Sequence, residues 1–195
     1  MKLNQVVVFC ASSPGHDRSF MDAAKRVGKV LVERGITLVY GGGRVGLMGA
    51  VADSVMENQG RVIGVIPEFL NSKEIGHTDI TELIVVDTMH ERKAKMNMLC
   101  DGVIALPGGF GTLEELFEML TWGQLGLHRK PVGLLNVDGF YDHLIQFALK
   151  MVDTGLLKAE NQQMLLFADN IEELLEKMEA YVAPEVPKWL NLKNS

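Results

Sequence analysis

The sequence has little cysteine, little proline and no excess of positive charge, and it lacks any long apolar run. Its two cysteines, Cys10 and Cys100, are too few for a disulfide framework. Cys10 closes an apolar run and Cys100 a helical pattern, so reduced, buried thiols are expected. Six prolines in 195 residues exclude a collagen-like or proline-rich chain, and no repeat or low-complexity linker interrupts the order. Lysine and arginine number 19 against 25 aspartates and glutamates, for a formal charge of −6. Such a chain repels phosphate at long range, so no nucleic-acid partner and no anionic membrane surface is expected. Any anion it takes must be held by a local site. Apolar runs such as 6–10 and 132–135 fall far short of the ~20 residues that cross a bilayer. The opening Met-Lys-Leu-Asn-Gln-Val lacks the apolar core and cleavage site of a signal peptide, which leads to the expectation of a cytoplasmic protein.

With 47% hydrophobic residues and 20 glycines, residues 1–195 read as a single domain. Short runs rich in Val, Ile and Leu, at 5–10, 37–40, 61–66, 83–86, 102–106, 132–136 and 164–167, predict strands. Segments of helical period at 17–34, 47–58, 90–100, 112–125, 140–154 and 171–181 alternate with them. This order predicts an α/β fold, a three-layer Rossmann-like doubly wound sandwich on a mainly parallel sheet of about seven strands. Gly35, Gly60, Gly126 and Gly155 each follow a helical pattern, where a left-handed C-terminal cap favours glycine. The tail from Pro184, with Pro187, Trp189 and Leu190, reads as a short packed or partly ordered terminus.

In open sheets of this kind ligands bind beyond the carboxyl ends of the strands. After the second strand, Gly41, Gly43 and Gly46 form G-x-G-x-x-G ahead of a helix, a context that suits a phosphate cradle. A dinucleotide site is the rival reading, but the motif follows the second strand rather than the first, and Glu68 comes about 25 residues on. A tight turn with close helix packing is a third. After the fifth strand, Pro107-Gly108-Gly109-Phe110-Gly111-Thr112-Leu113-Glu114-Glu115 opens another helix. Here Gly109, Gly111 and the Thr112 hydroxyl could surround a phosphate, with Glu115 one turn in. Thr112-x-x-Glu115 is equally a capping box, in which Glu115 serves only its own helix, and spacing does not choose between the two. Thr88-x-x-Glu91 repeats that pattern, and there the structural reading of Glu91 is favoured.

Arg92 and Lys93 follow near a helix start, where two cations oppose the dipole preference; a bound anion is one reading and a solvated pair of charges the other. As neighbours they diverge by about 100° on a helix. In the first loop Ser12 and Ser13 could touch phosphate or ribose, or simply cap a helix. The histidines, His16, His77, His90, His128 and His143, show no i, i+4 pair and no association with cysteine, so no metal site is expected.

The segments Met89-His90-Glu91-Arg92-Lys93 and Pro107–Glu115 together resemble the signature of the Lonely Guy family, cytokinin riboside 5′-monophosphate phosphoribohydrolases once labelled lysine decarboxylases. The resemblance extends through Gly41–Gly49, Thr121–Gly126 and Pro131–Gly139, and so across most of the chain. It implies hydrolysis of the N-glycosidic bond of a nucleoside 5′-monophosphate, AMP or its N6-prenylated form, to an adenine-type base and ribose 5-phosphate, with no cofactor. It implies Arg92 and Glu115 as the catalytic pair. Substrate contacts are then expected at Glu74, Arg92, Lys93, Gly109, Phe110, Gly111, Thr112, Leu113, Glu114, Glu115 and Thr121. Further phosphate or ribose contacts are expected at Ser13, Gly42, Gly43 and Met48, and a homodimer is implied. A non-catalytic nucleotide-binding or carrier protein and an NAD-type oxidoreductase stand as alternatives. Decarboxylation has least support, because nothing around Lys93, Lys95 or Lys130 suggests a Schiff-base lysine.

Overall fold

A computed structural model describes residues 2–71 and 76–185. Seven strands, β1 (Gln5–Phe9), β2 (Thr37–Tyr40), β3 (Val62–Pro67), β4 (Glu82–Val86), β5 (Gly102–Ala105), β6 (Val132–Leu135) and β7 (Leu165–Ala168), form one sheet in the order β4-β3-β2-β1-β5-β6-β7. Every pairing is parallel. The strands are buried on both faces along β1, β3, β5 and β6, which is why their sequences are continuous apolar runs rather than alternating ones.

Helices α1 (Arg18–Glu33), α2 (Gly46–Glu57) and α8 (Ile171–Ala180) cover one face, with Val27, Leu31, Val51, Val55, Leu174 and Met178 in its core. Helices α4 (Met89–Leu99), α5 (Phe110–Gln124) and α6 (Asp142–Asp153) cover the other through Met96, Leu116, Met119, Tyr141 and Ile145. Single turns α3 (Glu68–Leu70) and α7 (Ala159–Gln162) complete the set. Both are too short to leave a helical period in the sequence. The α/β three-layer architecture is therefore the one expected, and among the described residues no helix is long and apolar enough to cross a membrane. Of the tail, Pro187, Trp189 and Leu190 lie outside the described residues.

Three of the four expected cap glycines, Gly35, Gly126 and Gly155, do adopt positive φ. At the end of α2 the left-handed residue is instead Gln59 (φ 64°). Gly60 is there for space: a Cβ would lie 2.4 Å from Val32 Cγ2 and 2.7 Å from Val55 Cγ1.

The strand order reverses at β1, which pairs with β2 on one side and β5 on the other. The crevice at the carboxyl ends of β1 and β5 is thus the place where a ligand of this architecture is expected. The loop after β1 and the turn before α5 border it directly.

Candidate active site

Helix α4 begins at Thr88, whose side chain accepts the Glu91 N–H at 3.1 Å, while Glu91 accepts the Asp87 N–H at 2.9 Å. This is a capping arrangement, so Glu91 serves the helix as the spacing suggested. It leaves Arg92 on the buried side. Arg92 is only 9% exposed, its Nε donates to the Val65 carbonyl at 3.1 Å, and its Nη1 lies 3.2 Å from Glu115 Oε1. Gly41 makes room for it, since a Cβ there would sit 2.0 Å from Arg92 Nη2.

Helix α5 starts differently. Its N-cap is Gly109 and no side chain caps it. Thr112 therefore lies inside the helix, and Glu115 turns its carboxylate to Arg92 instead of back to its own backbone. The capping-box alternative for Thr112 and Glu115 does not hold, because glycine lets the helix begin three residues earlier than the threonine suggests. Thr112 is buried against Gly108, where a Cβ would lie 2.1 Å from its Oγ1. Among the described residues nothing lies within 4 Å of where a Cβ on Gly109 or Gly111 would be, and Phe110 between them is 94% exposed. An uncapped helix start bordered by open space presents its first N–H groups to whatever anion arrives.

Burial raises the carboxyl pKa of Glu115 above the ordinary glutamate value; Arg92 pulls it back, and the neighbouring charge of Glu114 adds to the rise. Lys93 points elsewhere, with Nζ 2.6 Å from Glu114 Oε1 and 3.0 Å from Glu118 Oε1. Burial alone would lower the Lys93 pKa, but the hydrogen bonds it donates to these two acids, with their charge, carry it above the ordinary lysine value. Cys10 sits near Glu115, and burial together with that carboxylate's charge pushes its thiol pKa far up, so it stays protonated.

The glycine loop after β2 is more fully used by the protein than its sequence suggests. The first two N–H groups beyond Gly46, those of Leu47 and Met48, both donate to the Ala11 carbonyl, at 3.1 and 3.3 Å. The Gly42 carbonyl accepts the His77 N–H at 2.8 Å, and Gly43 bridges to Gly76. His77, to which the sequence assigned no role, also pairs with Asp53 at 2.8 Å. Met48 lies beneath the loop, its sulfur 3.3 Å from where a Gly41 Cβ would be. Ser13 accepts the Gly15 N–H at 3.3 Å.

The structure thus gathers Arg92, Glu115 and the first turn of α5, with Gly41 and Met48 alongside. It does not bring Thr121 to them. Thr121 lines an apolar cavity between α5, α6 and α7 with Phe117, Leu120, Leu144, Met151 and Leu157, about 9 Å along the helix axis from Glu115. Glu74 lies outside the described residues. Glu118, one turn beyond Glu114, was not singled out from sequence; its signal was only the i, i+4 spacing of two acids. Among the described residues, no group of three His, Cys, Asp or Glu side chains is placed to hold a metal.

A family profile described as "Possible lysine decarboxylase" matches residues 48–178. The chain is 49% identical over 181 residues to a cytokinin riboside 5′-monophosphate phosphoribohydrolase of Arabidopsis thaliana, covering 93% of this chain and 85% of that protein. It is 51% identical over 180 residues to a probable enzyme of the same name from Oryza sativa subsp. japonica, covering 92% and 81%. Two solved structures share the fold. One, an X-ray structure from structural genomics, aligns with a TM-score of 0.71 at 24% identity, covering 91% of this chain and 99% of that one. The other, the molybdenum cofactor binding protein of Rippkaea orientalis, aligns at 0.68 and 22% identity, covering 92% and 98%. At such identities the likeness concerns the fold alone.

Proposed function

Because the chain belongs to the Lonely Guy family of phosphoribohydrolases, we propose that it hydrolyses the N-glycosidic bond of a nucleoside 5′-monophosphate. AMP or N6-prenylated AMP, the cytokinin riboside monophosphate, gives the free adenine-type base and ribose 5-phosphate. The observation that carries this reading is the buried Arg92–Glu115 pair set one turn inside the uncapped start of α5.

Breaking a ribosyl C–N bond builds positive charge on the sugar, and a desolvated carboxylate beside C1′ stabilises that charge and orients the incoming water. Glu115 takes this role. The water oxygen bonds to C1′, the C–N bond breaks with its electron pair passing to the base, and one water proton goes to the base while the other stays on the new C1′ hydroxyl. Arg92 favours the ionised form of Glu115 and contacts the phosphate or ribose hydroxyls, and its fork, anchored at Val65 and Glu115 together, is a geometry that an ammonium cannot reproduce. The free N–H groups at Gly109–Thr112 anchor the 5′-phosphate, whose binding energy orients the scissile bond. Lys93 is held charged between two acids, the opposite of what a Schiff-base lysine requires, so decarboxylation gains no support.

Residues 1–195 acting as one catalytic unit, a homodimeric state and a cytoplasmic location belong to the same reading. Exposed apolar side chains on and after α5 and α6, among them Phe117, Leu125, Phe147 and Leu149, support the dimer.

The test is substitution on adjacent residues. Glu115→Gln should lower kcat by several orders of magnitude. Glu114→Gln should change it little, because Glu114 is half in solvent and paired to Lys93. Equal losses would show that the role is not specific to Glu115.

A further inference from the structure

We propose that Tyr141 is a positioning residue for the turn that opens α5, a role that rests on reading that turn as the 5′-phosphate site. The segment Pro131–Gly139 and the residues after it contribute nothing to the chemistry described above, yet they reach the site from behind. After β6 the chain reverses through Val137–Gly139, with Asp138 and Gly139 both at positive φ (50° and 72°). This delivers Tyr141 into the core under the end of β5, where its side chain is 2% exposed. Its hydroxyl donates to the Leu106 carbonyl at 2.6 Å.

Leu106 is the first residue past β5. Its own N–H donates to the Phe9 carbonyl at 2.9 Å, and the carbonyl of the next residue, Pro107, accepts the Ala11 N–H at 3.2 Å. These three bonds hold the chain as it enters the turn. Beyond them Thr112 packs against Gly108, but among the described residues nothing would meet a Cβ at Gly109 or Gly111, and no side-chain hydrogen bond caps α5. The aim of the first N–H groups therefore depends on the anchors just upstream, and Tyr141 is the one supplied by a side chain.

Tyr141 is itself held firmly enough to act as an anchor. Its N–H donates to Asn136 Oδ1 at 2.8 Å, and Asn136 Nδ2 donates to Asp142 at 2.8 Å and Asp169 at 3.4 Å. Its ring meets Phe140 edge-on at 4.9 Å, and Phe140 meets Phe20 likewise at 5.7 Å. A misplacement of about 1 Å in groups that hold a reactant costs on the order of a hundredfold in rate, so a fixed turn is worth this much structure.

The test is Tyr141→Phe, which keeps the ring and its contacts and removes only the hydroxyl. Calorimetric titration with AMP and with adenosine reads the phosphate contribution directly, both proteins carrying Glu115→Gln so that AMP is bound without being consumed. The variant should bind AMP about tenfold more weakly, the loss expected for one hydrogen bond's worth of order, while adenosine affinity is unchanged. A lower unfolding temperature with an unchanged AMP-to-adenosine ratio would mean that Tyr141 is structural only, and would overturn the proposal while leaving the phosphate reading intact. If the protein that retains Tyr141 binds AMP no better than adenosine, the phosphate reading fails and this proposal with it. Should the variant not fold, the buried, hydrogen-bonded hydroxyl proton of Tyr141, with the tyrosine in place, serves instead. Its NMR signal should shift with AMP and not with adenosine, and a signal indifferent to AMP would count against the role.

Discussion

Arg92 and Glu115 are each 9% exposed, and burying either charge without the other would cost several kcal/mol. Their pairing at 3.2 Å does not fully offset the loss of water around the carboxylate, since burial still leaves the Glu115 pKa above the ordinary glutamate value of 4.5. The sign of the consequence follows. A carboxyl raised in the folded state favours the fold at low pH, and that contribution is lost as pH rises through the folded pKa, so the ionised side chain is kept at a cost to stability. For turnover the carboxylate is the useful form. The acid limb of kcat/KM should therefore lie above the ordinary glutamate range, and the limb should vanish in the residual activity of Glu115→Gln. A limb at or below the ordinary range, measured by initial rates across pH, would mean that Glu115 is not the group titrating.

At the scale of elements, α4 and α5 show how one sequence pattern can lead to two structures. Both carry Thr-x-x-Glu near their starts. At α4 the threonine is the N-cap and the glutamate closes the box; at α5 glycine starts the helix three residues earlier, and the same pair is carried into the buried face. Thr88→Ala should accordingly cost about 1 kcal/mol of stability, seen as a lower denaturant midpoint, with turnover nearly preserved because the Arg92 N–H still bonds the Thr88 carbonyl at 3.1 Å. A loss of turnover without loss of stability would contradict this. Most strands were legible because they are short buried apolar runs, the more exposed β4 because it is still rich in Leu, Ile and Val, and most helices because of their period. The use made of the Gly41–Gly46 loop was not. Its helix start is occupied by the Ala11 carbonyl, a contact between distant segments that no local pattern reports. The cavity that Thr121 joins was equally hidden, since α6 and α7, which line it with α5, are distant in sequence.

For the whole molecule, the parallel sheet places its switch point between β1 and β5, and the Arg92–Glu115 pair, the open start of α5 and the Tyr141 tether all converge there. Fold and site were legible together for that reason: the motifs lie after strands, and the topology brings the ends of those strands to one edge. Beyond Phe110 at the site, exposed apolar side chains continue along and after α5 and α6 at Phe117, Leu125, Phe147 and Leu149. A homodimer should show in sedimentation as a species of two chains across the micromolar range, and Phe147→Lys, at a residue 57% exposed, should shift it toward one. A single-chain species at every concentration would contradict the dimer. The central claim is tested most directly by incubating the purified protein with AMP and N6-isopentenyl-AMP, each beside its unphosphorylated nucleoside, and separating the products by chromatography. Free base and ribose 5-phosphate should appear in equal amounts from the monophosphates alone, and the ratio of the two rates ranks the base preference. Intact monophosphates after incubation, with AMP bound, would instead identify a nucleotide binder that performs no hydrolysis.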